Sequence, residues 1–291
     1  MSSFYRKHYS NSLICREVKR DNDLIAFFST PWRHRKLIAQ LCRREIVARY
    51  KGSLLGLIWL FVEPLLMLAI YSLFLGIFLK ARWGTEINLD AHPLQLPLTL
   101  FIGLNFYNFF SESLNKSSGL MRNNVNYIKK IIFPIEILPW AALGSSIFYA
   151  LIAFSIWAVF HMVFFGFIPL AGFCLFLLFI PMALLILGCM YFISALNVYL
   201  KDITPILTFV LTALMFLSPV FYSVKSMSPS IQWYLQLNPL TLVIEQARAC
   251  LLEGRLLDWN GYCTFFIGSL IVAVMGYKWF QKTREGFADV L

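Results

Sequence analysis

Charge is what this sequence lacks most. Only 14% of its 291 residues are Asp, Glu, Lys or Arg, against about a quarter in a soluble domain. With 59% hydrophobic residues and a mean hydropathy of +0.69, that scarcity excludes a soluble globular enzyme. It also excludes disordered, collagen-like and coiled-coil chains. Catalytic motifs are missing as well. There is no GxxxxGK(S/T) phosphate loop, so no Walker-type ATP site is encoded, and neither HExxH nor GxSxG occurs. The four histidines, His8, His34, His92 and His161, are scattered, and none is placed as a base beside a nucleophile. The six cysteines have no CxxC spacing and mostly lie in apolar runs, so they read as small buried hydrophobes and not as disulfides or metal ligands. Met1 to Asp23 is polar and mixed in charge, without the apolar core of a signal peptide, and insertion is expected to be driven by later segments.

What is present is long apolar runs. A spanning helix needs about 20 mostly apolar residues. Leu54–Leu79, Leu96–Leu114, Ile135–Phe160, Phe167–Leu196, Ile203–Phe221 and Tyr262–Phe280 meet that need, so the expected fold is an all-α integral membrane protein with six transmembrane helices. Ile231–Leu252 is apolar but broken by Asn238-Pro239, and it carries Glu245 and Arg248. Two short helices or a re-entrant hairpin fit it better than a span. Basic residues crowd one side: the segment before the first span, the loop holding Lys116, Arg122, Lys129 and Lys130, Lys201, and the C-terminal Lys278, Lys282 and Arg284. The other side holds Lys80, Arg82, Lys225, Arg248 and Arg255. The bias places both termini in the cytoplasm. It accounts for the net charge of +10 through topology, without a nucleic-acid partner.

Four features stand out against this background. The segment 31–52 is expected to form an amphipathic helix in the membrane interface, with Thr30 as cap and Pro31 in the first turn. Leu37, Ile38, Leu41, Cys42, Ile46 and Tyr50 share its apolar face, and Glu45 and Arg49 intrude on that face. It serves either as an anchor to anionic lipid or also as a basic face for a partner or an anionic headgroup. Glu63 sits inside the first span beside Pro64, where a carboxylate is either functional or hydrogen-bonded to a neighbouring helix. The loop from Arg122 to Pro134 has a polar start, a short helical stretch and a proline stop. It is either an ordinary basic loop or a helix that docks into a groove on another protein. The aromatic clusters at Phe101–Phe110 and Phe209–Tyr222 are mostly lipid-facing bulk and interfacial belts. A minority could line a path for sugars, whose C–H faces stack on rings.

The run Arg44-Glu45-Ile46-Val47-Ala48-Arg49-Tyr50-Lys51-Gly52-Ser53, continued by Glu63-Pro64-Leu65-Leu66-Met67, resembles the opening of the membrane subunits of polysaccharide-export ABC transporters: the O-antigen, capsule and teichoic-acid exporters. Ile128 to Pro134 is similar to their cytoplasmic coupling segment. Asn197 to Ile203 and Leu217 to Tyr222 resemble the ends of their fifth span, and Asn238-Pro239-Leu240 with Glu245, Arg248 and Gly254 resembles their outer gate hairpin. The resemblance runs from about Arg33 to the C-terminus. It implies a homodimer of permease subunits in the bacterial inner membrane, with ATP and magnesium on separate ATP-binding subunits and no cofactor on this chain. The implied cargo is a lipid-linked glycan on a polyprenyl pyrophosphate. The expected division of the chain is 1–30 a cytoplasmic tail, 31–52 the interface helix, 53–282 the transmembrane domain and 283–291 the cytoplasmic C-terminus. Within the transmembrane domain lie a coupling loop at 120–134 and a gate hairpin at 223–258. Arg44, Arg49 and Lys51 are implied to meet the substrate headgroup, and Glu63, Tyr71, Phe74, Phe209 and Phe216 to line the channel. Tyr127, Lys129, Lys130, Ile131 and Phe133 are implied to contact the ATPase, and Asn238, Pro239, Glu245 and Arg248 to form the outer gate. The alternatives are a small-molecule or lipid exporter of the same superfamily, or a membrane transferase acting on a polyprenyl carrier. The transferase would need facing carboxylates or histidines near the cytoplasmic interface.

Overall fold

The computed structural model describes residues 23–73, 94–128 and 133–290, and among these it contains helices and no strand. In chain order the helices of eight residues or more are α1 (Asp23–Arg33), α2 (Arg35–Tyr50), α3 (Trp59–Tyr71), α4 (Gln95–Gly119), α5 (Leu138–Phe165), α6 (Cys174–Tyr199), α7 (Ile203–Leu217), α8 (Pro229–Gln236), α9 (Pro239–Leu252) and α10 (Trp259–Thr283). Three stretches, Ile135–Phe165, Leu170–Tyr199 and Trp259–Gly286, are long and apolar enough to cross a membrane, and Gly56–Tyr71 and Ile203–Leu217 are shorter apolar helices. The architecture is therefore an all-α membrane fold with three clear spans and two shorter apolar helices. The expected segment 231–252 is two short helices, α8 and α9.

Punctuation in the sequence explains the element ends. α7 stops at Ser218, whose extended backbone (ψ 149°) is what a residue preceding proline prefers. Asn238 caps α9 by accepting from the Leu240 N–H at 3.0 Å, with Pro239 in the first turn. Asp258 caps α10 through the Asn260 and Gly261 amides. α5 ends on Gly166 at φ 91°, a left-handed conformation that glycine adopts without strain.

The N-terminal helix differs from expectation. Thr30 and Pro31 do not open it; both lie inside α1. Pro31 has no N–H to offer the Phe27 carbonyl, the helix closes at Arg33, and α2 restarts after His34. α2 does bury the expected face: Leu41 is buried, and Leu37 and Ile38 pack on the core.

α4 is the axis of the molecule. From Leu96 to Tyr107 every residue is buried, among α5, α6, α7 and α9. Two aromatic tips fix its neighbours to backbone carbonyls: Trp157 Nε1 donates to Leu98 O at 3.0 Å and the Tyr107 hydroxyl to Leu211 O at 2.8 Å. α6 and α10 form the tightest pair. A Cβ on Gly276 would lie 2.2 Å from the Gly188 carbonyl oxygen, and one on Gly188 would lie 2.5 Å from that of Val272. Here backbone touches backbone, as small residues permit between membrane helices.

Candidate functional site

One side of α4 is not apolar. Asn105, Asn108, Glu112 and Asn115 recur at helical spacing along a single stripe. The stripe faces a cavity of about 510 Å³ bounded by α3 through Glu63, Pro64 and Met67 and by α5 through Ser146, Tyr149 and Ala153. At one end of the cavity, the C-terminal turn of α2 supplies Arg49. Its guanidinium donates to Glu112 Oε1 at 2.5 Å, lies 3.5 Å from Glu63 Oε2 and sits 4.6 Å over the Tyr149 ring. Lys116, one turn further along α4, pairs with Glu112 at 3.1 Å and Glu45 at 3.2 Å and donates to Ser145 and Ser146. Each pair is partly exposed and alone is worth under about 1 kcal/mol; the shared Glu112 makes them a network, in which coupling adds. Deeper in, Asn105 is 5% exposed and its amide nitrogen has no hydrogen-bond partner among the described residues.

The three α2 cations do not converge. Arg49 enters the network, whereas Arg44 donates to the Tyr127 hydroxyl and lies 5.4 Å over that ring. Lys51 is exposed beyond the helix end. Glu63 sits at the cavity with its side chain 51% exposed. Tyr71 is half-buried against the core, while Phe209 and Phe216 are exposed on α7. Phe74, Lys129, Lys130 and Ile131 lie outside the described residues. Of the other loop residues, Tyr127 stacks on Phe133 at 4.5 Å between ring centroids.

That loop is tied to the body of the protein by a relay which the sequence did not disclose. Arg122, just before the four-residue helix Val125–Ile128, donates to the Asn197 carbonyl at 2.6 Å at the end of α6. The Asn197 side chain donates to Thr204 Oγ1 at 3.0 Å, in the first turn of α7. At the far end of α7, Asn238, Glu245 and Arg248 come together. Asn238 Nδ2 donates to Ser218 Oγ at 2.8 Å, and Arg248 donates to the carbonyls of Pro219 at 2.7 Å and Val220 at 2.8 Å, with Glu245 at 3.3 Å. A planar guanidinium suits this fan of acceptors.

Glu45, Asn105, Glu112, Lys116 and Tyr149 escaped sequence reasoning. The spacing of the polar residues in α4 was the available signal. A second signal was the pair Glu45 and Arg49, which spoil the apolar face of α2 because they reach into the network.

Residues 36–252 match the family described as ABC-2 type transporter. Among curated proteins, the chain is 26% identical over 265 residues to the O-antigen export system permease protein RfbA of Myxococcus xanthus, covering 89% of this chain and 96% of that one. It is 23% identical over 260 residues to the protein of the same name from Klebsiella pneumoniae, covering 88% and 95%. To the capsule polysaccharide export inner-membrane protein CtrC of Neisseria meningitidis serogroup A it is 23% identical over 254 residues, covering 87% and 92%.

Proposed function

Because this chain belongs to the ABC-2 type transporter family, we propose that it is the membrane subunit of an ABC transporter that exports a lipid-linked polysaccharide across a bacterial inner membrane. What carries the reading is its correspondence with permeases of two kinds of polysaccharide exporter over nearly their whole length. In this reading two copies form a homodimer above two separate ATP-binding subunits that hold ATP and magnesium. α3, α4, α5, α6, α7 and α10 are the six spans. α1 and α2 lie at the cytoplasmic surface with both termini, and α8 and α9 form the outer hairpin. The excess of Lys and Arg in the segments assigned to the cytoplasm supports this orientation.

The contacts support a division of labour. ATP-driven closure of the partner pushes on the loop 120–134, through Tyr127, Lys129, Lys130, Ile131 and Phe133. The push passes to α2 through the Arg44–Tyr127 contact and to α7 through Arg122, Asn197 and Thr204. α3 and α7 present broad exposed faces and line the path at the two-fold axis with Tyr71, Phe209 and Phe216, and with Phe74, which follows α3 in sequence; Glu63 faces the cavity behind α3. Asn238, Pro239, Glu245 and Arg248 hold the outer end of α7 and act as its gate. Arg44 and Lys51, outside the cavity, meet the phosphates of the lipid carrier from the cytoplasmic side, while Arg49 is engaged by Glu112 and Glu63.

The test is deletion of the gene in its host. Surface polysaccharide should disappear, lipid-linked polymer should accumulate inside, and expression of the intact chain with its ATPase should restore export. Unchanged surface polysaccharide in the deletion strain would overturn the proposal.

A further inference from the structure

The cavity behind α3 has a chemistry of its own. Its cations are already matched: Arg49 and Lys116 face three carboxylates, Glu45, Glu63 and Glu112. A phosphate placed there would meet a net negative charge. The buried groups further in ask for something different. Among the described residues the Asn105 amide nitrogen has no acceptor, and the proton of the Tyr149 hydroxyl has none either, since Arg49 beside it can only donate. Leaving such buried donors without an acceptor is unfavourable, so they favour a ligand that brings acceptor oxygens. At the charged end, Glu63 is half exposed, holds only a long ion pair, and can accept from a hydroxyl. Apolar surface from Met67 and Phe101 completes the walls. About 510 Å³ is within the range of small-ligand pockets.

A neutral, hydroxyl-rich ring answers all of these demands together: ring and hydroxyl oxygens accept from Asn105 and Tyr149, its hydroxyls donate to Glu63, and its C–H faces lie on Met67 and Phe101. We propose that this intrasubunit cavity binds the sugar nearest the lipid carrier, while the carrier's phosphates stay outside it. The inference rests on the export reading above and adds to it where the cargo is first recognised and by which part.

The experiment uses the full chain with its ATPase in nanodiscs. The probes are a polyprenyl diphosphate bearing one diazirine-labelled hexose and the same polyprenyl diphosphate without sugar. The glycosylated probe should cross-link to residues 101–112 of α4 or 146–153 of α5. Asn105→Leu and Tyr149→Phe should each weaken its binding roughly fivefold or more and leave the bare lipid unaffected. Tyr149→Phe removes only a hydroxyl and keeps the ring under Arg49, so loss of fold is not a competing explanation. Equal weakening of both lipids would make the cavity a phosphate site and overturn the proposal. So would wild-type binding of both lipids with no cross-link in the cavity, which leaves the export reading standing. If neither lipid binds the wild-type complex, the export reading falls together with the inference.

Discussion

Arg248 donates its guanidinium to main-chain carbonyls beyond the end of α7, and almost nothing of it reaches solvent. Removing it would strand those carbonyls and the Glu245 carboxylate. Arg248→Ala should therefore destabilise the protein by about 3 kcal/mol or more, seen as a lower unfolding midpoint in detergent. Gly103 leaves room for the same group: a Cβ there would lie 2.9 Å from Arg248 Nη2. Gly103→Ala should shift the midpoint in the same direction, by about 1–3 kcal/mol. Glu63 behaves differently, because Arg49 keeps its closer partner Glu112 when Glu63 is lost. Glu63→Leu should insert and assemble like the wild type but export less polymer, and a normal export rate would show that its carboxylate is dispensable. Single residues were only partly legible in the sequence. Glu63 and Arg248 announced themselves as charges in apolar surroundings. Glu112 and Lys116 did not, because their polar neighbourhood made them look like the end of a span, and only packing shows that α2 folds back over them.

Elements were easier to read than their boundaries. The apolar runs of α5, α6 and α10 were plain, since about 20 apolar residues have few other uses. The start of α2 was misplaced because Pro31 suits a first helical turn, whereas here it lies in the last turn of α1 and helps to end it. The contact between α6 and α10 was invisible, as Gly188 and Gly276 are far apart in sequence and each alone looks incidental. Gly276→Val should force the two backbones apart and abolish assembly, measured as loss of the folded monodisperse fraction after extraction. At Gly268 on the same helix an added Cβ meets nothing within 4 Å, and Gly268→Ala should be silent in that assay. The relay from Arg122 through Asn197 to Thr204 links three elements by side-chain hydrogen bonds. Arg122→Ala should leave the ATPase rate of the complex near its basal value while lowering export about tenfold. A parallel fall in both would mean that the contact merely holds the fold.

At the scale of the whole molecule, the sequence reads as a membrane protein, and the match to the ABC-2 type transporter family agrees with that reading. In the proposed reading a partner supplies the energy through the loops assigned to the cytoplasm. A cysteine placed at Tyr127 should cross-link to the ATP-binding subunit in native membranes, and one at Trp233 on α8 should not; the reverse pattern would invert the proposed orientation. The cavity lay beyond sequence reasoning because α2, α3, α4 and α5 build it together from residues as far apart as Arg49 and Ala153. One consequence concerns how the chain is made. Phe27, fully buried, lies edge-on to Tyr277 of α10 at 5.6 Å between ring centroids and beside Tyr191 of α6. During translation α1 and the Gly188 groove of α6 both emerge long before the helix that covers them. Until α10 leaves the ribosome, a backbone groove and an aromatic pocket stand open in the bilayer for chaperones to shield or proteases to find. A stop codon shortly before Trp259 should thus be as damaging to the cell's stock of this protein as one near its start, even though most of the chain would already have been synthesised.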